Sequence, residues 1–253
     1  MLPMEQTYQH IPQNSAHTPV GELLKSGAHQ LGIALDDEKV SSLLEYKRII
    51  LEWNEKMNLT AIEEEREFIT KHFIDSLSIL PYLKDINNII DVGTGAGFPG
   101  IPLKIVQPSL HVILLDSLEK RVGFLKAVTS ELNLTGITAI HSRVEDAGSS
   151  PAHREKYDAA VARAVASLPV LLEYCLPLVK KGGIFIAMKG SSADEVKISE
   201  KALDLLGGGI EQVMDFTLPD SDVCRSIIIV RKLRQTPLKY PRKPGKPTKE
   251  PLI

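Results

Sequence analysis

The feature that most limits the fold is a change of rhythm at Tyr82. Beyond it, short runs rich in Ile, Val and Leu alternate with helical segments. Strands are expected at 88–92, 111–116, 137–141, 157–163 and 183–189, and helices near 99–107, 118–132, 167–180 and 192–206. A strand followed each time by a helix implies a parallel sheet covered on both faces, the doubly wound α/β architecture. The rhythm then breaks. Residues 210–218 and 223–231 are strand-like and joined only by Pro219-Asp220-Ser221-Asp222, too short for a parallel crossover, so an antiparallel hairpin should close a seven-stranded sheet.

Ahead of Tyr82 the period is helical. Leu43, Tyr46, Ile50, Trp53 and Met57 step by three and four behind the acids Asp36, Asp37 and Glu38. Thr60-Ala61-Ile62-Glu63 has the form of a capping box, and Ile69, Phe73, Leu77 and Leu80 continue an apolar stripe to Pro81. The expected organisation is a mobile N-terminus over 1–19, a helical cap over 20–83, the α/β domain over 84–232 and a basic C-terminal segment over 233–253.

Charge is unevenly distributed. The whole chain has 30 basic and 32 acidic residues in 253, but from Arg231 onward eight basic residues face one acid, so the tail carries +7 and the body −9. Such a tail is either a solvated extension or a set of contacts to RNA phosphates through Lys239, Arg242, Lys243, Lys246 and Lys249, with Tyr240 available to stack on a base. The pattern Tyr-Pro-Arg-Lys-Pro-Gly favours a docked segment along one side of an RNA cleft. Cys175 and Cys224 both lie in apolar runs and read as buried small hydrophobes, not a disulfide, which suits a reducing, cytoplasmic compartment. No His/Cys cluster has metal-ligand spacing, and no run approaches the length of a membrane span.

The chemistry is concentrated where the first strand meets its helix, in Asp91-Val92-Gly93-Thr94-Gly95-Ala96-Gly97-Phe98-Pro99-Gly100. Gly95, Gly97 and Gly100 satisfy G-x-G-x-x-G and Gly93 extends the set, allowing a tight turn and close approach of a ligand to backbone amides. Asp116 closes the next strand, where a carboxylate can take both ribose hydroxyls. Nicotinamide dinucleotides and S-adenosylmethionine share this geometry. Asp91, at the tip of strand one, would meet the ammonium of a methionine moiety but would face a pyrophosphate unfavourably. The terminal hairpin and the lack of a hydride-transfer apparatus also favour S-adenosylmethionine, and no Gly-Lys-Ser/Thr follows the loop as a Walker site requires. Arg143-Val144-Glu145-Asp146 either flanks an adenine, with Val144 as apolar contact and Glu145 or a neighbouring amide reading the ring edge, or is merely a capped helix start.

After strand four the segment 162–169, Ala-Arg-Ala-Val-Ala-Ser-Leu-Pro, holds neither the Asn/Asp-Pro-Pro-aromatic element of adenine amino-methylating enzymes nor a nucleophilic cysteine near proline. A target that is already nucleophilic needs neither: N7 of guanine has a free lone pair, and its attack on a sulfonium needs alignment alone. Arg163 could hold a phosphate, guanine O6 or the cofactor carboxylate, whereas a bond to N7 would block the chemistry.

Asn58-Leu59-Thr60-Ala61-Ile62, Lys71-His72-Phe73-Ile74-Asp75-Ser76-Leu77, the glycine loop through Ile105, residues 114–121, Arg143–Asp146, 162–168, Met188-Lys189-Gly190 and the tail 240–252 together resemble the glucose-inhibited division B family of bacterial 16S ribosomal RNA methyltransferases acting on guanine N7. The resemblance implies a monomeric class I S-adenosylmethionine-dependent methyltransferase fold with an N-terminal helical cap, acting on the 530-loop region of small-subunit RNA or the 30S particle. It places cofactor contacts on Gly93, Phe98 as an apolar wall, Val144, Glu145 and Arg163. Asp91, Gly95, Gly97 and Asp116 join them from geometry. His72 and Asp75 are expected on the substrate side of the cleft as positioning residues beside Arg163, and Lys189 joins the RNA-contact set. The competing readings are a small-molecule or protein methyltransferase on the same fold, and a non-catalytic ribosome-binding relative.

Overall fold

A computed structural model describes residues 15–163, 165–190 and 193–253. Most of the expected N-terminal segment therefore lies outside the described residues. Seven strands form one sheet: β1 Asn88–Val92, β2 His111–Asp116, β3 Ile137–His141, β4 Tyr157–Arg163, β5 Val179–Lys189, β6 Gly208–Thr217 and β7 Cys224–Lys232. Their order is β3-β2-β1-β4-β5-β7-β6, parallel through β5, with β7 antiparallel to both its neighbours. The chain starts in the middle of the sheet at β1, winds outward to β3, then returns to place β4 on the other side of β1. The carboxyl ends of β1 and β4 thus diverge into connections on opposite faces, and this switch point is where an open α/β sheet leaves a crevice.

The strand positions follow the sequence closely because β1, β2, β4 and the second half of β5 are covered on both faces, so their apolar runs are nearly unbroken, while β3 at the sheet edge is buried only at Ala139. β5 starts earlier than expected, at Val179. The helix expected over 167–180 is correspondingly confined to Leu168–Cys175, and 192–206 resolves into Ala193–Lys197 and Glu200–Leu206. Cys175 is buried as expected, but Cys224 is exposed. It opens β7 beside the hairpin turn, opposite Thr217 at the end of the edge strand β6, where little covers it.

The cap contains helices Pro19–Gln30 and Asp37–Met57, whose first turns are capped by Thr18 Oγ1 accepting from Gly21 N (3.2 Å) and Asp36 Oδ1 accepting from Lys39 N (2.8 Å). The expected capping box at Thr60 does not form. Thr60 Oγ1 instead accepts from Ile62 N (3.0 Å) in a local turn, and the next helix starts at Glu65, with the Glu64 carboxylate accepting from the amides of Arg66 and Glu67. Glu65–Phe68 then passes without a break into a wider π-helical stretch, Ile69–Ile74, and into Asp75–Leu77, short of Pro81. A π insertion rotates the residues that follow and is common at functional sites; here it carries Lys71 and His72 and is followed at once by Asp75. Val40, Leu43, Tyr46, Ile50, Phe68 and Phe73 are buried in a core continuous with Ile89, Leu114 and Val161 of the sheet.

The C-terminal segment docks on the opposite face, where Tyr240 and Leu252 join the core formed by Leu171, Cys175 and Val230. Lys232 is fully buried, its ammonium donating to Leu176 O and Thr236 Oγ1 and pairing with Glu155 (3.2 Å).

Candidate functional site

Two cavities open at the carboxyl edge of the sheet, one on each side of the loop that follows β4. The first, about 450 Å³, is lined by Val92, Gly93, Asp116, Val144, Glu145 and Tyr174, and by Gly245, Thr248 and Pro251 of the C-terminal segment. The second, about 420 Å³, is lined by Lys71, His72 and Asp75 of the cap, Arg163 from β4, Lys189 from β5 and Arg225 from β7.

The first cavity is floored by Val92 and Gly93, where the glycine loop begins. Gly93 has φ +68°, and a Cβ there would stand 2.9 Å from Val165 Cγ2, so only glycine fits between β1 and the loop after β4. At Gly100 a Cβ would meet Asp91 Oδ2 at 2.8 Å, because the helix that starts there packs directly on the aspartate. Asp91 is fully buried beneath the loop: Oδ2 accepts from Gly100 N (2.8 Å) and Thr94 Oγ1 (2.6 Å). Its Oδ1 is the only buried side-chain polar atom without a hydrogen-bond partner among the described residues, and burial raises the carboxyl to about 6. Asp116 Oδ2 accepts from Gly95 N (3.0 Å) and Oδ1 from Leu118 N (2.9 Å), so one carboxylate ties the loop to the end of β2 at the cavity mouth. Glu145 Oε1 accepts from Gly245 N (2.9 Å). Val144 and Glu145 open a helix, Val144–Ser149, whose first turn has no side-chain cap, and both line the cavity.

In the second cavity Asp75, almost wholly buried, accepts from Arg163 Nη1 (3.1 Å) and Arg225 Nε (3.0 Å), while Arg163 also donates to Lys71 O (3.0 Å). The Phe98 ring stacks on His72, with centroids 4.5 Å apart and planes 7° from parallel, and the Arg163 guanidinium lies 5.0 Å from the same ring centroid. His72 is neutral: burial first, and the charge of Arg163 second, lower its pKa to about 3. Its Nδ1 faces Arg163 Nη2 (3.4 Å), which can only donate, so Nε2 carries the proton toward Thr60 Oγ1 (2.8 Å). Lys189 reaches back to Ala166 O (2.7 Å) and Glu195 (3.0 Å), fastening the loop between the cavities.

The structure therefore brings Gly93, Asp116, Val144 and Glu145 into one cavity and His72, Asp75, Arg163 and Lys189 into another. Asp91, Gly95 and Gly97 support the first from beneath without lining it. Phe98 is corrected: its ring is the buried centre of the cap interface, against Tyr46, Phe68, Phe73 and His72, and is no wall of the first cavity. The tail needs correction too. Tyr240 is buried and cannot stack on a base, and Arg242 is held in a two-pronged pair with Glu173 (2.6 and 2.9 Å). Lys239, Lys243, Lys246 and Lys249 remain exposed. Residues missed in the sequence are Arg225, which reaches Asp75 across 150 positions, and Gly245, Thr248 and Pro251. Lys71, part of the motif 71–77, also lines the second cavity, and nothing in its local sequence marks it for a role there.

The GidB family, described as rRNA small subunit methyltransferase G, matches residues 39–224. The Ribosomal RNA small subunit methyltransferase G of Acetivibrio thermocellus is 61% identical over 232 residues, covering 91% of this chain and 96% of that one. Its namesake from Alkaliphilus metalliredigens is 55% identical over 233 residues, covering 91% and 98%. Among solved structures, a geranyl diphosphate methyltransferase in complex with SAM superposes with a TM-score of 0.52 at 11% identity, over 69% of this chain and 93% of that one, a likeness of fold. With a class I methyltransferase topology, a glycine-loop cavity at its switch point and relatives this close along most of its length, the chain belongs to the GidB family of small-subunit ribosomal RNA methyltransferases.

Proposed function

We propose that the chain transfers a methyl group from S-adenosylmethionine to N7 of a guanine in the 530-loop region of 16S ribosomal RNA, acting as a monomer on the RNA or the 30S particle. The observation that carries this reading is the near-full-length similarity to relatives named rRNA small subunit methyltransferase G. The geometry agrees with it. The first cavity offers Asp116 for ribose hydroxyls and the Val144–Glu145 edge for an adenine, and beneath it the buried Asp91 Oδ1 keeps no donor among the described residues. When bound, S-adenosylmethionine supplies a methyl group on an electrophilic sulfonium.

The residues of the second cavity position the acceptor and move no proton. N7 carries its own lone pair, so no base is required, and neutral His72 with a pKa of about 3 is unsuited to be one. Asp75 and the Phe98 ring fix the direction of the Arg163 guanidinium beside the loop that separates the cavities. A donor held in advance loses less freedom when substrate arrives. Lys71, Lys189 and Arg225 add positive charge suited to a phosphate backbone.

The decisive experiment incubates the protein with labelled S-adenosylmethionine and small subunits lacking the modification, then maps the labelled nucleotide. Label on guanine N7 in the 530 loop is expected; label on adenine or cytosine, or none, would overturn the assignment.

A further inference from the structure

The C-terminal segment, read from its charge, belongs to RNA, yet its best-anchored residues point elsewhere. Glu173 is fully buried, and among the described residues the one cation paired with it is Arg242: Nη2 donates to Oε2 at 2.6 Å, Nε to Oε1 at 2.9 Å, and the Arg242 backbone amide to Oε1 at 2.8 Å. The same guanidinium donates to Glu250 O (2.8 Å), so it closes residues 242–250 into a loop. That loop carries Gly245, whose amide donates to Glu145 Oε1, and Thr248, whose hydroxyl bonds Tyr174 OH at 2.9 Å. Gly245, Thr248, Glu145 and Tyr174 all line the first cavity. Arg154 fastens the stem of the loop through Thr236 O (2.7 Å) and Tyr240 O (2.8 Å).

We infer that residues 240–252 form a strap that completes the adenosine side of the cofactor cavity, and that Arg242, through Glu173, is the positioning residue that keeps this wall docked. The inference rests on the cofactor reading of that cavity. It gives the basic tail two faces. The inner one, with Arg242, Gly245 and Thr248, builds the cofactor site, and the outer one carries Lys239, Lys243, Lys246 and Lys249 in solvent. Removing Arg242 leaves a buried carboxylate with no counter-charge, which is relieved when the strap lifts and water enters. A cofactor that binds only the docked form then sees an apparent Kd divided by the docked fraction. By reciprocity, bound cofactor holds the strap down.

The test uses the full-length protein. Calorimetry with S-adenosylhomocysteine should show Kd raised about tenfold in Arg242→Ala, the value for a strap docked in one molecule of ten, with partial recovery in Arg242→Lys, which keeps the charge but not the fork. In methylation assays the loss should fall on KM for the cofactor and not on kcat, with RNA affinity altered less than about twofold. Unchanged cofactor affinity with weakened RNA binding would overturn the inference and return Arg242 to the RNA. If Arg242→Ala does not fold, the wild type still decides. S-adenosylhomocysteine should slow trypsin cleavage after Lys239 and Lys249, and cleavage indifferent to it would overturn the strap. Failure of the wild type to bind S-adenosylhomocysteine at all would remove the cofactor reading itself, and this inference with it.

Discussion

The two cavities share one loop and are built from opposite materials. The first is floored at Gly93 and lined by the carboxylates of Asp116 and Glu145, with Arg143 as its one cation; the second is lined by Lys71, Arg163, Lys189 and Arg225, with Asp75 as its one carboxylate. Apart from the strap and from Val170 and Tyr174 of the helix Leu168–Cys175, the first draws its wall from residues at or just after the ends of β1, β2, β3 and β4. The second gathers the cap helix, β4, β5 and β7. Carboxylates suit the hydroxyls and amine of a nucleoside cofactor, whereas a set of cations, two of them arginines held by one buried carboxylate, suits a polyanion that must be oriented. The single sheet edge is thereby divided by charge.

The largest expected effect tests that division at its seam. Arg163→Ala removes one of the two arginines on buried Asp75, the tie to Lys71 O and the cation over Phe98. Truncating one partner of a buried hydrogen-bonded charge pair costs about 2–5 kcal/mol, and kcat/KM for RNA methylation should fall accordingly with cofactor affinity nearly intact. If cofactor affinity collapses instead, the guanidinium serves the first cavity and the division fails. Asp116→Ala should do the converse, weakening S-adenosylhomocysteine binding by roughly 1.5–3 kcal/mol through loss of charged hydrogen bonds. Calorimetry reads this directly, and unchanged affinity would place Asp116 outside the site.

The same contrast explains what the sequence disclosed. Strands covered on both faces are written as apolar runs, and a ligand loop built from backbone is written as glycines, so the sheet, its hairpin and most of the first cavity are legible locally. The second cavity depends on tertiary placement. Arg225 meets Asp75 only because β7 inserts between β5 and β6, and no local pattern marks that insertion. The π-helical stretch is equally silent: its stripe of Ile69, Phe73 and Leu77 looks like an ordinary helix. Composition misled where charge was counted without partners. Four of the eight tail cations, Arg231, Lys232, Arg234 and Arg242, pair with body acids, so much of the +7 never faces solvent unopposed.

A smaller effect sharpens the comparison through pH. His72 has an ordinary value of 6.5 and a folded value of about 3. Between these the unfolded chain binds a proton that the folded chain refuses, so the stability His72 supplies is complete above pH 6.5 and declines as pH falls toward 3. From pH 7 to 5 the loss should be roughly 1–2 kcal/mol. Asp91 titrates with the opposite sign, since its carboxyl is raised from 3.8 to about 6 and protonation there favours the folded form. The informative quantity is therefore the difference between wild type and His72→Gln in thermal unfolding at the two pH values. The wild type should lose more, and parallel curves would show that His72 is hydrated and the second cavity looser than its geometry implies.

The smallest effect concerns the outer face of the strap. Lys239, Lys243 and Lys249 have no carboxylate partner among the described residues, and Lys246 has only exposed Glu250 at 3.5 Å. Each lysine that neutralises a phosphate releases condensed counterions, and removing one should lower the slope of log affinity against log salt by about 1. Lys243→Ala is the cleanest single probe, because its neighbour Arg242 keeps the strap docked and cofactor binding should not change. Substituting all four lysines should reduce the slope further, while Lys71→Ala in the second cavity tests whether the RNA continues from the strap into the acceptor site. A slope unaffected by the fourfold change but reduced by Lys71→Ala would confine RNA to the cap side. The strap would then serve the cofactor alone, and the two cavities would be separated by partner as well as by charge.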